Sequence, residues 1–460
     1  MNPSTLRCMN CRASLFCVYS RSLKDSEYWL ANGFRFIIGR RPFSKGSPSH
    51  LTRLDTSAKT KKDHISVLGE NYVKDEMSNV TGGLLKKVES KLHLRKHHPL
   101  GMIKSSIENH MHGHYRSRHG GCIFAAVDNL SPVVTTEQNF DSLLVPKDHI
   151  SRLKNDNYYI NKSMMLRAHT SAHQRDLIKS GWDAFLVTGD VYRRDEIDKS
   201  HYPVFHQMEG VKLFSQNELF SEYVKDGLKI MEPNGTRTED KQEFHTLEAA
   251  KLVEFDLKNT LQKLFEDLFG EDTEMRWVDA YFPFTHPSWE LEVKFEGEWM
   301  EMLGCGIMEH GILVKGGTSD KIGWAFGLGL ERIAMKMFDI PDIRLFWSED
   351  ERFINQFKDG IDVKFKPFSK YPPTFKDISF WINESFSPND LFEVIRSTAG
   401  DIVEEMKLVD EFTHPVTEKT SHCYRITYRS MDKTFTDEEI NAIQEEVRTS
   451  VAAELNLKLR

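Results

Sequence analysis

The sequence of 460 residues predicts an α+β protein, an antiparallel sheet flanked by helices with a smaller second module after it. Three observations carry that prediction. Segments at 185–188, 291–295, 299–303 and 324–328 read as strands, without the regular strand–helix alternation of a parallel sheet. One long amphipathic helix fits 243–269, with Leu247, Ala250, Leu257, Leu261, Leu264 and Leu268 on one stripe. The pattern then pauses near 358–367, and residues 368–460 suffice for a core of their own.

In chain order, residues 1–62 stand apart. They hold twelve Lys/Arg against three acids (Asp25, Glu27, Asp55), in a chain of formal net charge -8. Apolar Leu6, Met9, Ala13, Leu15, Phe16 and Val18 interleave with Arg7, Arg12 and Arg21. A basic, amphipathic, acid-poor leader predicts a mitochondrial transit peptide and the mitochondrial matrix as destination; a disordered basic arm is the other reading. Cysteine use fits a reducing compartment. Cys8, Cys11 and Cys17 lie in the leader, Cys122, Cys305 and Cys423 are far apart, and no second pair completes a zinc set. The longest apolar run, 122–127, is six residues, where a membrane helix needs about 18. With 39% hydrophobic and 28% charged residues, collagen, low-complexity and disulfide-scaffold classes are excluded.

Residues 63–98 read as a polar helical extension ending at His97-His98-Pro99. A helix over 100–114 follows from Met102, Ile103, Ile107 and Met111. Gly120-Gly121 breaks it before 122–127. His110, His112, His114 and His119 cluster without a nearby carboxylate or Cys to complete a ligand set, so a solvated His-rich turn is expected rather than a metal site.

Two segments carry chemistry. In the first, a strand at 185–187 leads to Tyr192-Arg193-Arg194-Asp195, a loop with Lys199 and His201, and then Phe205-His206-Gln207-Met208-Glu209. In a hairpin, Arg193, His201, Phe205 and Gln207 converge on one side. Arg supplies a fork for phosphate or carboxylate oxygens, and an aromatic beside cations suits a purine ring. A charged surface hairpin is the bland reading. The second segment is a strand ending in Gly327-Leu328-Gly329, then a helix opening with Glu331-Arg332. Helix N-termini favour anions, and the spacing matches neither the dinucleotide GxGxxG nor the phosphate loop.

Together the two segments resemble the second and third signature motifs of class II aminoacyl-tRNA synthetases, in detail their phenylalanine-specific members in the single-chain organellar form. The supporting strings are NFDSLLVPKDH at 139–149, RAHTS at 167–171, the run 189–210, YFPFTHP at 281–287, LGCG at 303–306 and the run 323–335 continuing to DIRLF at 342–346. KYPP at 370–373, DISF at 377–380, VDEF at 409–412 and YRITYR at 424–429 are similar to that family's ferredoxin-like anticodon-binding domain. The resemblance implies a catalytic domain at 63–346, with the helical extension 63–98, a linker at 347–367 and the anticodon-binding domain at 368–460. It also implies a monomer, and no membrane partner.

The implied reaction joins phenylalanine to ATP, with Mg2+ and no tightly bound metal. The phenylalanyl group then moves to the 2′-hydroxyl of the terminal adenosine of tRNA(Phe). Arg193, His201 and Arg332 are the catalytic residues the resemblance implies. Arg193 bridges the substrate carboxylate and α-phosphate, Arg332 faces the γ-phosphate, and His201 contacts the triphosphate. Phe205 stacks the adenine, Asp195 meets its edge, and Glu331 is the candidate metal ligand. The amino-acid pocket is implied at His169, Ser171, Gln174, Gln207, Glu209, Phe282, Phe284, Thr285, Ala325 and Gly327. Glu209 and Gln207 would accept the ammonium, with His169 and Ser171 around the carboxylate. Phe282 and Phe284, at i and i+2, would share one face of a strand and meet the substrate ring. Ala325 would close the far wall. In the tail, alternation would point Tyr424, Ile426 and Tyr428 inward and Arg425, Thr427 and Arg429 outward, with Arg425 and Arg429 as tRNA contacts. A catalytically inactive tRNA-binding paralogue, or a class II synthetase of different amino-acid specificity, are the competing readings.

Overall fold

The computed structural model describes residues 63–460 apart from 89, 118, 222–226, 368–370 and 432. The transit-peptide reading of 1–62 lies outside the described residues. The first described element is a hairpin, β1 (His64–Val67) and β2 (Glu70–Val73), paired antiparallel. This corrects the helical reading of 63–98, where only 82–85 and 92–94 make short helical turns. Leu68 and Gly69 both take positive φ (55° and 81°), the pair of left-handed residues that a tight hairpin turn requires.

Helix α1 (Pro99–His114) starts on proline, with the His98 side chain accepting from Leu100 N, and buries Leu100, Ile103, Ile107 and Met111. His110, His112 and His114 belong to this helix and not to a turn. His110 Nδ1 donates to Asp267 at 2.6 Å. After β3 (Ala125–Val127) come three short strands, β4 (Val133–Thr135), β5 (Tyr159–Asn161) and β6 (Met164–Leu166), which form their own sheet in the order β4-β6-β5.

The main sheet adds β7 (Ala184–Tyr192), β8 (Val204–Phe214), β9 (Met275–Phe282), β10 (Thr285–Phe295), β11 (Glu298–Met308) and β12 (Ile322–Gly329). Its order is β3-β7-β8-β12-β11-β10-β9, antiparallel except at the β3–β7 edge. All four strands expected from the sequence lie in it. The long helix, α2 (Leu247–Phe269), is capped by the Thr246 side chain and packs on the same core. Leu257, Leu261 and Leu264 are wholly buried, each contributing roughly 1.5–3 kcal/mol. Leu247, expected on that stripe, is 44% exposed. Helix α3 (Leu330–Phe338) leaves the end of β12 directly.

The expected linker at 347–367 is instead core. Phe353 and Phe357 are wholly buried and Phe365 nearly so. The rings of Phe353 and Phe357 lie 5.1 Å apart, and Phe357 meets Phe338 at 5.3 Å. The polar residues between these phenylalanines hide their period in the sequence.

The last module contains β13 (Thr374–Trp381), α4 (Pro388–Ala399), β14 (Val403–Thr413), β15 (Thr420–Tyr428), α5 (Asp437–Glu454) and β16 (Lys458–Leu459), with sheet order β14-β15-β13-β16. This is the ferredoxin-like βαββαβ arrangement. Ile378, Phe380, Leu391, Ile395, Ile426, Tyr428 and Val447 fill its core. In β15, Tyr424, Ile426 and Tyr428 are buried as expected, but so is Thr427, expected outward.

The module grips the β7–β8 loop, residues 193–203. Arg194 pairs with Asp390 at 2.7 Å, Asn389 donates to Arg194 O, and Arg396 donates to the carbonyls of Asp195 (2.9 Å) and Glu196 (3.1 Å). Ile197, 6% exposed, packs in the module's own core and accepts from Met406 N at 2.9 Å. Tyr202 donates to Asp401 at 2.7 Å.

Phe353→Ala should cost roughly 3–5 kcal/mol in denaturant unfolding. A residue of a loose linker would change stability by less than about 0.5 kcal/mol.

Candidate active site

Strand β8 builds the site by simple alternation. His206 and Met208 turn into the core, while Phe205 and Gln207 face an open cleft with Glu209 at its buried end. Strand β7 pairs along its whole length with β8 and ends where Arg193 begins the loop. On the other side β12 pairs with β8 from Ile322↔Phe214 to Gly329↔Gln207, bringing Ala325 and Gly327 alongside. The result is a cavity of about 570 Å³. Of the expected amino-acid residues, His169, Ser171, Gln174, Gln207, Glu209, Phe282, Phe284, Thr285, Ala325 and Gly327 all line it, and Arg193 stands there too.

Phe282 and Phe284 converge by a different route from the one expected. Phe282 ends β9 and Phe284 lies in the turn before β10, so no single strand face carries both. Their rings stack at 5.8 Å with 16° between planes. The room for Phe282 comes from Gly304, where a Cβ would stand 2.7 Å from the ring. Thr285 is buried, its hydroxyl 2.7 Å from that of Ser288.

The polar end is Glu209. It is 2% exposed and accepts a very short hydrogen bond from Gln174 Nε2. Its other oxygen and the Gln174 carbonyl oxygen lack a partner of good geometry. Burial pushes the Glu209 carboxyl up to about 7, against the pull of the Ser171, Gln174 and Thr170 side chains. His169 is pushed down to about 3 by burial and then by the Arg193 charge, so its ring is neutral. Thr170 N donates to Gln207 Oε1 at 3.1 Å, fixing that amide. A buried carboxylate with spare acceptors, at one end of an aromatic slot, is built for a cation on an aromatic molecule.

At the outer end, Arg193 donates through Nε to Ala168 O at 2.8 Å, and its guanidinium lies 5.2 Å from the centre of the Phe205 ring. Arg332, in the first turn of α3, donates to Glu301 O at 2.6 Å, and Glu301 also lines the cavity. Two cations and a half-buried aromatic ring suit a polyanion bearing a flat base.

Five expected residues do not line the cavity: Phe205 and Arg332, which touch its lining residues Arg193 and Glu301, and three placed elsewhere. Glu331 is buried, and both its oxygens are taken by His206, which turns it away from the cavity and removes the ATP and metal roles expected of it. His201 pairs with Asp198 at 2.7 Å, a contact that raises its pKa, and lines a small cleft with Tyr202, Arg344, Arg396 and Asp401. Asp195 stays within the field of Arg193, which it stabilises as a cation, but does not line the cavity. Among the described residues, no three His, Cys, Asp or Glu side chains converge on a metal position.

Sequence reasoning missed Glu301 and Glu290. Burial, then Glu301 and Glu292, raises the Glu290 carboxyl. Their signal was weak: Glu290 and Glu292 alternate along β10 and Glu301 stands opposite Glu292 on β11, a pattern that a solvated sheet face also shows. In the last module, Arg425 pairs with Asp377 at 2.8 Å and Arg429 with Glu404 at 2.6 Å. His286 donates to Thr238 O at 2.7 Å, outside the cavity.

Comparison with known proteins agrees in both modules. The family model "tRNA synthetases class II core domain (F)" matches residues 90–222 and 236–357, and "Ferredoxin-fold anticodon binding domain" matches 369–460. The chain is 54% identical over 402 residues to a mouse protein, Mus musculus phenylalanine–tRNA ligase, mitochondrial, covering 86% of this chain and 89% of that one. It is 41% identical over 458 residues to the protein of the same description from Saccharomyces cerevisiae, covering 87% and 96%. A bacterial phenylalanine–tRNA ligase alpha subunit, from Vibrio campbellii, is 34% identical over 225 residues, covering 48% and 58%.

Ala325→Gly removes a methyl group from the cavity wall, at roughly 0.5–1 kcal/mol of stability for a glycine in a strand. The variant should bind para-chlorophenylalanine more tightly than the wild type does, as read by calorimetry. Unchanged selectivity would take Ala325 out of the wall.

Proposed function

The chain belongs to the phenylalanine–tRNA ligase family of class II tRNA synthetases and charges tRNA with phenylalanine for mitochondrial translation, and we propose that its residues share that reaction as follows. One observation carries the assignment: the stacked rings of Phe282 and Phe284 wall the same cavity as Glu209, a buried carboxylate with an unused acceptor. The phenylalanine ring enters the slot. Its ammonium meets Glu209, Gln174 and Gln207, and its carboxylate turns outward past His169 and Ser171 toward Arg193. Ala325 limits the space beyond the ring.

ATP lies across the outer end, its adenine on Phe205 and its phosphates between Arg193 and Arg332. A substrate carboxylate oxygen attacks the α-phosphorus, and the bond to the pyrophosphate oxygen breaks. No base is needed, because the carboxylate is already ionised. What the step requires is that two anions be held in line, which Arg193 does by contacting both. The 2′-hydroxyl of the terminal adenosine of tRNA then attacks the acyl carbon, and AMP leaves.

Magnesium fits this arrangement. When bound with ATP it supplies charge neutralisation on the phosphates. The carboxylates suited to it are Glu301 and Glu290, which repel one another without a cation. Glu331, both of whose oxygens already accept from His206, does not line the cavity.

The wider assignments follow the same reading. Residues 1–62 act as the import leader to the matrix, supported by their basic, acid-poor composition. Residues 63–367 form the catalytic body and 368–460 the anticodon reader, and the protein works as a monomer. Arg425 and Arg429 contact tRNA by exchanging Asp377 and Glu404 for RNA groups.

The direct test is ATP–pyrophosphate exchange by the purified chain. Phenylalanine should support it, and tyrosine should do so up to about 100-fold less well, the limit for rejecting an added hydroxyl from an apolar pocket. Exchange with another amino acid but not with phenylalanine would refute the assignment. The Glu209 carboxyl, with its pKa near 7 in the free enzyme, must ionise to pair with the ammonium. Phenylalanine affinity should therefore weaken as pH falls through 7, by up to about tenfold per unit. Calorimetry between pH 5.5 and 8.5 reads this, and Glu209→Gln should flatten the profile.

A further inference from the structure

Glu331 carries a carboxylate into the core, 3% exposed, against a histidine that is wholly buried. Its position follows from a mismatch between strand and helix. Pairing of β12 with β8 stops at Gly329↔Gln207. One residue further along β8, the N–H of His206 still points toward the β12 side. The chain there has already turned into α3 and offers no strand carbonyl. The Glu331 side chain supplies the missing acceptor. His206 N lies 2.9 Å and 2.8 Å from its two oxygens, and His206 Nδ1 donates to Oε1 at 2.7 Å.

The histidine ring cannot easily move. Trp347 stacks on it at 5.9 Å, and His93 packs at 5.2 Å. A carboxylate in a helix first turn is favoured by the local dipole, and hydrogen bonds to a charged acceptor are the strong kind. The pair thus joins two stretches that reach the ligand separately. His206 is flanked by Phe205 and Gln207, and Glu331 adjoins Arg332. Gln207 has its own anchor in Thr170 N, whereas Phe205 and Arg332 lie beyond the last ladder pair, Gly329↔Gln207, and past that point the Glu331–His206 pair joins their two stretches.

We propose that Glu331 and His206 are positioning residues for the activation step, holding the adenine-stacking Phe205 and the phosphate-facing Arg332 at a fixed separation. This rests on the functional reading above. It gives Glu331 a part in ATP use without contact to ATP or metal.

Pyrophosphate exchange separates the two ideas. Wild type that fails to exchange with phenylalanine refutes the functional reading itself. With wild type active, Glu331→Ala should lower kcat/KM for ATP by roughly a hundredfold, the scale of an ångström of misplacement. Glu331→Gln keeps an acceptor for His206 N and should recover at least about tenfold of that loss. The calorimetric Kd for phenylalanine, without ATP, should stay within about twofold in both variants, since Glu209 and Gln207 are held independently. Should Glu331→Ala fail the thermal-unfolding check, His206→Asn, which retains a donor near the Nδ1 position, carries the comparison with His206→Phe, which does not. The same split is expected, with His206→Asn the milder. Parallel losses of ATP and phenylalanine affinity, or ATP parameters unchanged by Glu331→Ala or His206→Phe, would overturn the proposal.

Discussion

One buried guanidinium holds the two ends of the site together. Arg167 is 1% exposed and runs across β7 at Gly189, where a Cβ would stand 2.1 Å from its Nη2. It donates through Nε to Asp190 O and through Nη2 to Asp190 Oδ1, both at 2.7 Å. It also reaches Leu130 O at 3.2 Å and His173 Nε2 at 2.9 Å. Its own carbonyl accepts from Tyr192 N at 2.9 Å. The turn bearing His169, Ser171 and Gln174 and the strand end bearing Arg193 therefore hang from the same residue. Burial alone would raise the Asp190 carboxyl, but Arg167 and the Tyr192 hydroxyl hold it low. His173 is pushed down to about 4 by burial and then by Arg167, so it stays neutral and accepts from the guanidinium. Such a pair costs heavily in desolvation. Its effect is to specify one arrangement of three backbone segments, which a hydrophobic substitute could not do.

The parts of this design that were legible in the sequence were local. The period of two from Phe205 to Glu209 is visible in five residues, and Gln207 and Glu209 do line the cavity as that period expects. Phe282 and Phe284 were identified correctly for an incorrect reason, because the turn between β9 and β10 does what strand alternation was expected to do. Glu331 was misplaced because neighbours in a motif need not face the same way. Its direction depends on where β12 stops pairing with β8, which no single segment reveals. The residues from 347 to 367 looked polar because Phe353, Phe357 and Phe365 are irregularly spaced among lysines and acids. Their burial depends on meeting Phe338, which lies earlier in the chain. The hairpin at the start was legible in hindsight from Leu68-Gly69, yet its flanking charges masked the alternation.

Charge behaves in a similar way. The net charge of -8 says little about a polyanionic substrate. The arginines that matter are few, and each already has a carboxylate or carbonyl partner. Arg332 rests on Glu301, Arg425 on Asp377 and Arg429 on Glu404. On the functional reading proposed above, a phosphate or base arriving at these groups would replace an existing partner, so recognition would be an exchange in which the acids set which geometry can compete. Glu404 shows the device most fully. It is buried, and Lys199, Arg344 and Arg429 surround it from both modules.

Ile197 belongs to one module by sequence and to the other by packing. It sits in the β7–β8 loop, far from residue 368 along the chain, yet its side chain completes the apolar interior of the ferredoxin-like fold. The boundary drawn along the chain is therefore not the boundary of cooperative folding. Separating the modules at the end of the catalytic body would leave an isoleucine in water on one piece and a hole in the other. Part of the packing that stabilises the anticodon-binding module is thus supplied by the loop that begins at Arg193.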